Sequence, residues 1–223
     1  GSMLLMHARL QIVGDEHEGA QPICENNDYH FTFNGEIYNF RELASKYLGV
    51  VYKSDARVLF ELLKKLGVDQ TLEIIEGPFA FVFVDLRKKI MTAARDPIGE
   101  KPLFFSKNDN QSVFASTAKA CLISLGVKGV FNKEAVNAYY SLGYVPATMC
   151  LFKDVQKIGA GEAWHFDFET NKVVACKKQS RRYNFERFTK ESFEHELSNT
   201  IKQASNVNQD VACFLSGGVD SNL

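Results

Sequence analysis

The residues best suited to chemistry in this chain stand at a strand-to-helix corner. Phe33-Asn34-Gly35-Glu36-Ile37-Tyr38-Asn39 follows an alternating run, Tyr29-His30-Phe31-Thr32-Phe33, that predicts a strand. Asn34-Gly35 then turns the chain sharply, because both residues tolerate positive φ. Asn39, with Glu42 three residues on, has the spacing of a helix N-cap and its capping-box partner. Such a corner can offer an amide side chain and a backbone N–H side by side, as an oxyanion hole requires. Asn-Gly by itself is equally the mark of a turn that only reverses the chain. A second stretch, Ser216-Gly217-Gly218-Val219-Asp220-Ser221, follows an apolar run. Its glycines let backbone N–H groups approach an anion and its hydroxyls add donors, so it suits phosphate; the plain alternative is a glycine turn.

The elements that must position these residues are legible from periodicity. Leu4 to Val13 is apolar with His7, Arg9 and Gln11 alternating in, and predicts a strand. Val58, Leu59, Leu62, Leu63 and Leu66 fall at helical spacing behind Ser54-Asp55, and Gly67 is placed to end that helix. Asp55 at its head suits the helix dipole. Hairpins are predicted for Phe79–Asp85 with Ile90–Ala94, Leu103–Ser106 with Val113–Ser116, and Ala163–Phe168 with Lys172–Cys176. Short helices are predicted at Ala118–Ser124 and, capped by Asn132, up to Leu142. Arg181–Phe188 reads as a linker, Thr189 as the cap of a helix to about Asn206, and Val211–Leu215 as an apolar strand. Hairpins interleaved with helices indicate an α+β fold.

Several strings, in order, resemble glutamine-hydrolysing asparagine synthetases and their class II glutamine amidotransferase domain. They are His7-Ala8-Arg9-Leu10, Gln21-Pro22, Asn34 to Asn39, Ser54-Asp55, Gly77-Pro78-Phe79-Ala80-Phe81, Arg95-Asp96 with Gly99 and Lys101-Pro102-Leu103, and Ser216 to Ser221. The resemblance implies the four-layer αββα sandwich of N-terminal-nucleophile hydrolases over residues 3–182. Residues 183–223 would then begin an ATP pyrophosphatase α/β domain with its first helix and strand. It implies glutamine as substrate, Asn34 and Gly35 as the oxyanion hole, and Arg9 gripping the α-carboxylate, for which a planar guanidinium fork is suited. Asp55 would hold the α-ammonium, and Leu10, Ile12, Val13 and Glu36 would complete the site. Leu215, Ser216, Gly217, Gly218, Val219, Asp220 and Ser221 would be part of an ATP loop, with Mg2+ expected only alongside ATP in a complete synthetase domain. There, ATP adenylates aspartate and ammonia displaces AMP. The family pattern has a glutamate after the serine at Ser116, where this chain has Thr117.

One family feature has no counterpart. The nucleophile is a cysteine at the mature N-terminus, with its own α-amine as base; the first cysteine here is Cys24. The expectations are therefore a domain shortened at both ends, no glutamine hydrolysis by these 223 residues, and sheet edges needing cover, for instance in a homodimer. Alternatives are a binding module without activity, or a related ligase acting on another carboxylate, such as a β-lactam synthetase. A net charge of −1 excludes an electrostatic footprint for nucleic acid, and no apolar run is long enough to span a bilayer. Five cysteines without C-x-x-C spacing argue against a disulfide framework or a metal site and suit the cytoplasm.

Overall fold

The computed structural model describes residues 3–10, 12–14, 17–147, 149–170, 172–178, 189–205 and 210–219. Its centre is β3 (Phe79–Asp85), every residue of which is buried. Alternate side chains of a strand point to opposite faces, and here both faces are covered. Phe79, Phe81 and Phe83 enter one core; Ala80, Val82 and Val84 enter another.

Around β3 runs a six-stranded antiparallel sheet. Its order is β1 (Ile23–Glu25), β2 (Tyr29–Gly35), β3, β4 (Ile90–Arg95), β8 (Glu162–Asp167) and β9 (Lys172–Lys178). The Phe79 face carries α1 (Phe40–Leu43), which runs into a π-helical turn at Ala44–Leu48, and then α2 (Asp55–Leu66) and α3 (Val68–Ile74). The Val82 face packs on a second sheet, ordered β6 (Ser112–Ala115), β5 (Phe104–Lys107), β7 (Gln156–Lys157). Phe105 of β5 belongs to the core between the sheets, while Phe104 turns outward onto α4 (Ala118–Leu125). The layers are therefore helix, sheet, sheet, helix, the αββα order expected. A further helix, α5 (Lys133–Leu142), starts at Asn132, whose Oδ1 accepts from the Glu134 N–H. Thr117 has a structural role, because its hydroxyl caps α4 by accepting from the Ala120 N–H at 3.1 Å.

The hairpins and the helices at 55, 118, 133 and 190 stand where periodicity put them. Three expectations fail. Leu4–Val13 forms no strand among the described residues; Leu4, Met6 and Leu10 are exposed. Its tie to the sheet is through side chains, His7 Nδ1 lying 3.2 Å from Thr32 Oγ1. Val211–Leu215 is likewise no strand, and Phe214 is fully exposed. Alternation or apolarity is insufficient in both, because a strand exists only where a neighbour takes its ladder hydrogen bonds. Asn39, finally, makes no side-chain cap. Its amide instead donates to Ile74 O and accepts from the Glu76 N–H. Its φ of −89° and ψ of 16° lie outside the extended region an N-cap uses.

The helix α6 (Lys190–Ala204) begins with a capping box between Thr189 and Ser192 and has no buried residue. The expected linker 181–188 lies outside the described residues. Sequence reading missed β1, α3 and β7, which are seven residues or shorter.

Candidate functional site

The site grows from the meeting of two glycines. β2 ends by pairing Asn34 with Ala80 and Gly35 with Phe79. Beyond it the Glu36 N–H donates to Pro78 O at 2.9 Å and the Tyr38 N–H to Glu76 O at 2.7 Å. Two backbones run so close only without side chains. Gly35 has φ +146°, and a Cβ on it would lie 2.1 Å from Pro78 O; Gly77 has φ +131°, and a Cβ there would lie 2.1 Å from Glu36 O. Asn34 is left exposed at the strand's end.

Asp55 is brought to this corner by α2. Ser54 is the N-cap, its Oγ accepting from the Arg57 N–H, so Asp55 is the first helical residue rather than the cap. Its carboxylate is 5% exposed. Oδ1 accepts from the Ala56 N–H at 2.8 Å and Oδ2 from the Ile37 N–H at 3.1 Å. The second bond ties Asp55 directly to the Asn34–Asn39 stretch. Burial raises its pKa to about 6, against the two N–H groups that favour the anion, and the negative charge of Glu36 adds to the rise. Glu36 is half-buried and is itself raised, mainly by burial and further by Glu100, with Lys101 opposing.

Arg9 reaches the same neighbourhood from the other side. Its Nη2 donates to Val13 O at 2.9 Å and Gly14 O at 3.4 Å. Gly14 in turn packs on Ser54, since a Cβ there would stand 2.9 Å from Ser54 Cβ. Arg9 and Asp55 are thus linked through Gly14 and Ser54. Ile12 and Val13 are half-buried, Val13 against the helix-side core, whereas Leu10 is 81% exposed.

A loop that the sequence marks only as one of the family strings, Arg95-Asp96 with Gly99, supports the corner. Arg95 and Asp96 are both buried. Arg95 donates to Lys101 O, Ile158 O and Gly99 O. Asp96 accepts four backbone N–H groups, from Ile98, Gly99 and Glu100 on Oδ1 and Lys101 on Oδ2, at 2.7–3.1 Å. Its own N–H donates to Phe79 O at 2.7 Å, and Phe79 is the partner of Gly35. The signal in sequence was the adjacent Arg-Asp pair ahead of a glycine. Asp96→Ala strands the N–H groups of Ile98, Glu100 and Lys101 in a loop beside Glu36, while Gly99 keeps its bond to Asp96 O, and is expected to cost about 2 kcal/mol, read from urea unfolding; an unchanged midpoint would contradict this account.

The cysteines lie elsewhere. Cys24 on β1 is opposite His30, four residues along β2 from Asn34, about 13 Å at the usual strand rise. Cys121 is buried, and its thiol is pushed up to about 11 by that burial. Cys176 is on β9 and Cys213 in the exposed C-terminal stretch. Within 216–219 the Gly218 N–H donates to Ser216 Oγ at 3.3 Å and Gly217 has φ +76°. Leu215 to Val219 are exposed; Asp220 and Ser221 lie outside the described residues. No helix among the described residues is long and apolar enough to cross a membrane.

Two facing sheets between helical layers give this chain the αββα fold of N-terminal-nucleophile hydrolases. The chain belongs to the glutamine amidotransferase domain family, which matches residues 1–180. It is 29% identical, over 99% of its length and 47% of the relative's, to putative asparagine synthetase [glutamine-hydrolyzing] 2 of Methanocaldococcus jannaschii. It is 30% identical to asparagine synthetase [glutamine-hydrolyzing] 1 of Bacillus subtilis, over 96% of this chain and 35% of that protein. The glutamine phosphoribosylpyrophosphate amidotransferase of Bacillus subtilis shares the fold, with a TM-score of 0.51 and 20% identity over 75% of this chain and 33% of that one. The chain spans between about a third and a half of the length of these curated relatives.

Proposed function

We propose that this chain is the glutamine-binding part of an asparagine-synthetase-type enzyme. In that enzyme, glutamine hydrolysis supplies ammonia for ATP-dependent amidation of aspartate. The observation that carries the reading is the hydrogen bond from the Ile37 N–H to Asp55, which joins the Asn34-Gly35 corner to a buried carboxylate. Glutamine bound there presents its α-ammonium to Asp55 and its side-chain amide to the exposed Asn34. A guanidinium is a fit for the α-carboxylate, and Arg9, whose Nη2 donates to Val13 O and Gly14 O, would provide it by exchanging a backbone carbonyl for the ligand. Asn34 and the Gly35 backbone are the groups that stabilise the oxyanion of a tetrahedral intermediate. Glu36, raised by burial, lies beside Asp55 and sharpens the demand for a cation.

Cys24 lies about 13 Å along β2 from Asn34, and we take these 223 residues to bind glutamine without hydrolysing it. ATP and Mg2+ belong to the synthetase reaction. Loss of a nucleophile lowers rate by up to about 10⁶, far beyond what an oxyanion hole retains.

A thermal-shift titration tests this. At ten times Kd, a ligand bound only to the native state adds about 1.4 kcal/mol, hence a rise of roughly 3–5 °C for a domain of this size. Glutamine is expected to give that shift and Arg9→Ala to remove it, with no cysteine-dependent release of ammonia. Equal responses from both proteins would refute the assignment of Arg9. Ammonia release that disappears on replacing Cys24 would refute the assignment of the chain as binding without hydrolysis.

A further inference from the structure

The sheet that carries the glutamine corner at one end carries a cavity at the other. Tyr29 pairs with Asp85 and Gly35 with Phe79, so the two ends are about 20 Å apart at the usual strand rise. The cavity, of about 470 Å³, opens between the end of α2, the start of α3 and the β3–β4 hairpin. That volume falls within the range of small-ligand sites.

Its wall is apolar, with Tyr29, Leu63, Phe83 and Ile90 contributing; Tyr29 and Phe83 stack at 5.8 Å between centroids. Its rim is cationic, carrying Lys64, Lys65, Arg87 and Lys88 against the acids Asp69 and Asp85. Both acids are already engaged. Asp85 Oδ1 accepts the Arg87 and Lys88 N–H groups at 3.1 and 3.2 Å, its carboxylate also pairs with Arg87 Nε at 3.5 Å and Lys88 Nζ at 3.7 Å, and Asp69 pairs with Lys177. Lys64 is held by Glu25 and Glu61, and Lys65 Nζ donates to Tyr47 O at 2.6 Å. The Arg87 guanidinium lies 4.5 Å over the Tyr29 ring, and the Lys88 side chain is 72% exposed. Positive charge is thus in excess beside an aromatic surface.

The third observation is His165, which lines the same cavity. Its Nδ1 is 3.0 Å from Thr92 Oγ1, while Nε2 is buried with no hydrogen-bond partner among the described residues. A buried polar nitrogen left unpaired is costly. Burial also holds this imidazole below its ordinary pKa, so at neutral pH one ring nitrogen donates and the other accepts.

We propose that this cavity binds a small anion with an apolar ring, a carboxylate or phosphate of an aromatic body. The anion lies among Lys65, Arg87 and Lys88, and the ring lies against Phe83 and Ile90 with His165 in the same wall. This second site is independent of the glutamine reading.

The test is calorimetric titration of the 223-residue chain with 4-hydroxyphenyl phosphate, 4-hydroxyphenylacetate and inorganic phosphate. Amide NMR shifts locate the binding. The expected result is saturable binding of at least one ring-bearing probe, tighter than inorganic phosphate, with shifts at Gly67, Val68 and Thr92. The preferred probe distinguishes phosphate from carboxylate. Lys65→Gln/Lys88→Gln is expected to weaken that probe about tenfold while leaving the melting temperature and the glutamine response unchanged. The proposal is overturned if neither ring-bearing probe binds at millimolar concentration, or if inorganic phosphate binds as well as they do. It is equally overturned if the shifts centre on Asn34 and Asp55, or if the double variant binds like wild type.

Discussion

Gly35→Ala is expected to lose at least about 4 kcal/mol of stability, and glutamine binding with it. Two costs combine. A side chain at φ +146° is strained by itself, by about 1–3 kcal/mol. The added Cβ would also stand 2.1 Å from Pro78 O and 2.8 Å from Phe79 Cα, both backbone atoms. Relief requires β2 to part from the start of β3, breaking the 2.9 Å bond from Glu36 N–H to Pro78 O and the pairing of Gly35 with Phe79. The strand being parted is the one on which both cores rest. Gly49→Ala is the control. Gly49 also has positive φ, +70°, but nothing lies within 4 Å of a Cβ there, so only the backbone term of about 1 kcal/mol remains. Urea unfolding of the two variants compares them directly. If Gly35→Ala costs no more than Gly49→Ala, the interlocking of the two glycine backbones does not hold the corner.

The second large effect is a pair of opposed pH dependences from one carboxyl group. The Asp55 pKa is raised from 3.8 to about 6, chiefly by burial. The fold therefore favours the protonated form, and between those values the native state binds more protons than the unfolded chain. Stability from this group is complete below about 3.8 and is lost as pH rises through about 6. A difference of two pKa units amounts to about 3 kcal/mol. Glutamine binding runs the other way. Only ionised Asp55 pairs with an α-ammonium, so affinity should rise about tenfold per pH unit below 6 and level off above it. Asp55→Asn should remove the glutamine response and flatten the stability difference. Other carboxyl groups are shifted too: Glu36 is raised, chiefly by burial, while Glu25 is lowered by its hydrogen bond from Lys64. The wild-type minus Asp55→Asn difference cancels them. Unfolding free energies and glutamine titrations from pH 4 to 7.5 measure both. A difference that grows with pH would reverse the sign and sink the account of Asp55 as a buried, raised carboxyl.

The local part of this protein is written in its sequence. α2 follows from Ser54, the apolar spacing from Val58 to Leu66, and Gly67, because capping and helical period involve only residues within a turn or two of one another. β2, β3 and β4 follow from apolar runs and turn residues, and Asn34-Gly35 marks its own corner. The resemblance to a glutamine amidotransferase domain rests on such short strings, and the αββα layers agree with it. What the corner does depends on partners far along the chain. Gly35 meets Pro78 and Gly77 meets Glu36. Asp55 accepts from Ile37. Asn39, read as a cap, instead holds Ile74 and Glu76, and Asp96 hangs its loop from Phe79. Leu4–Val13 and Val211–Leu215 have the composition of strands without being strands. In each case the deciding term is a hydrogen bond or a close backbone approach between distant residues. Residue type and local period fix which segments are able to pair; only the folded chain decides which of them find a partner.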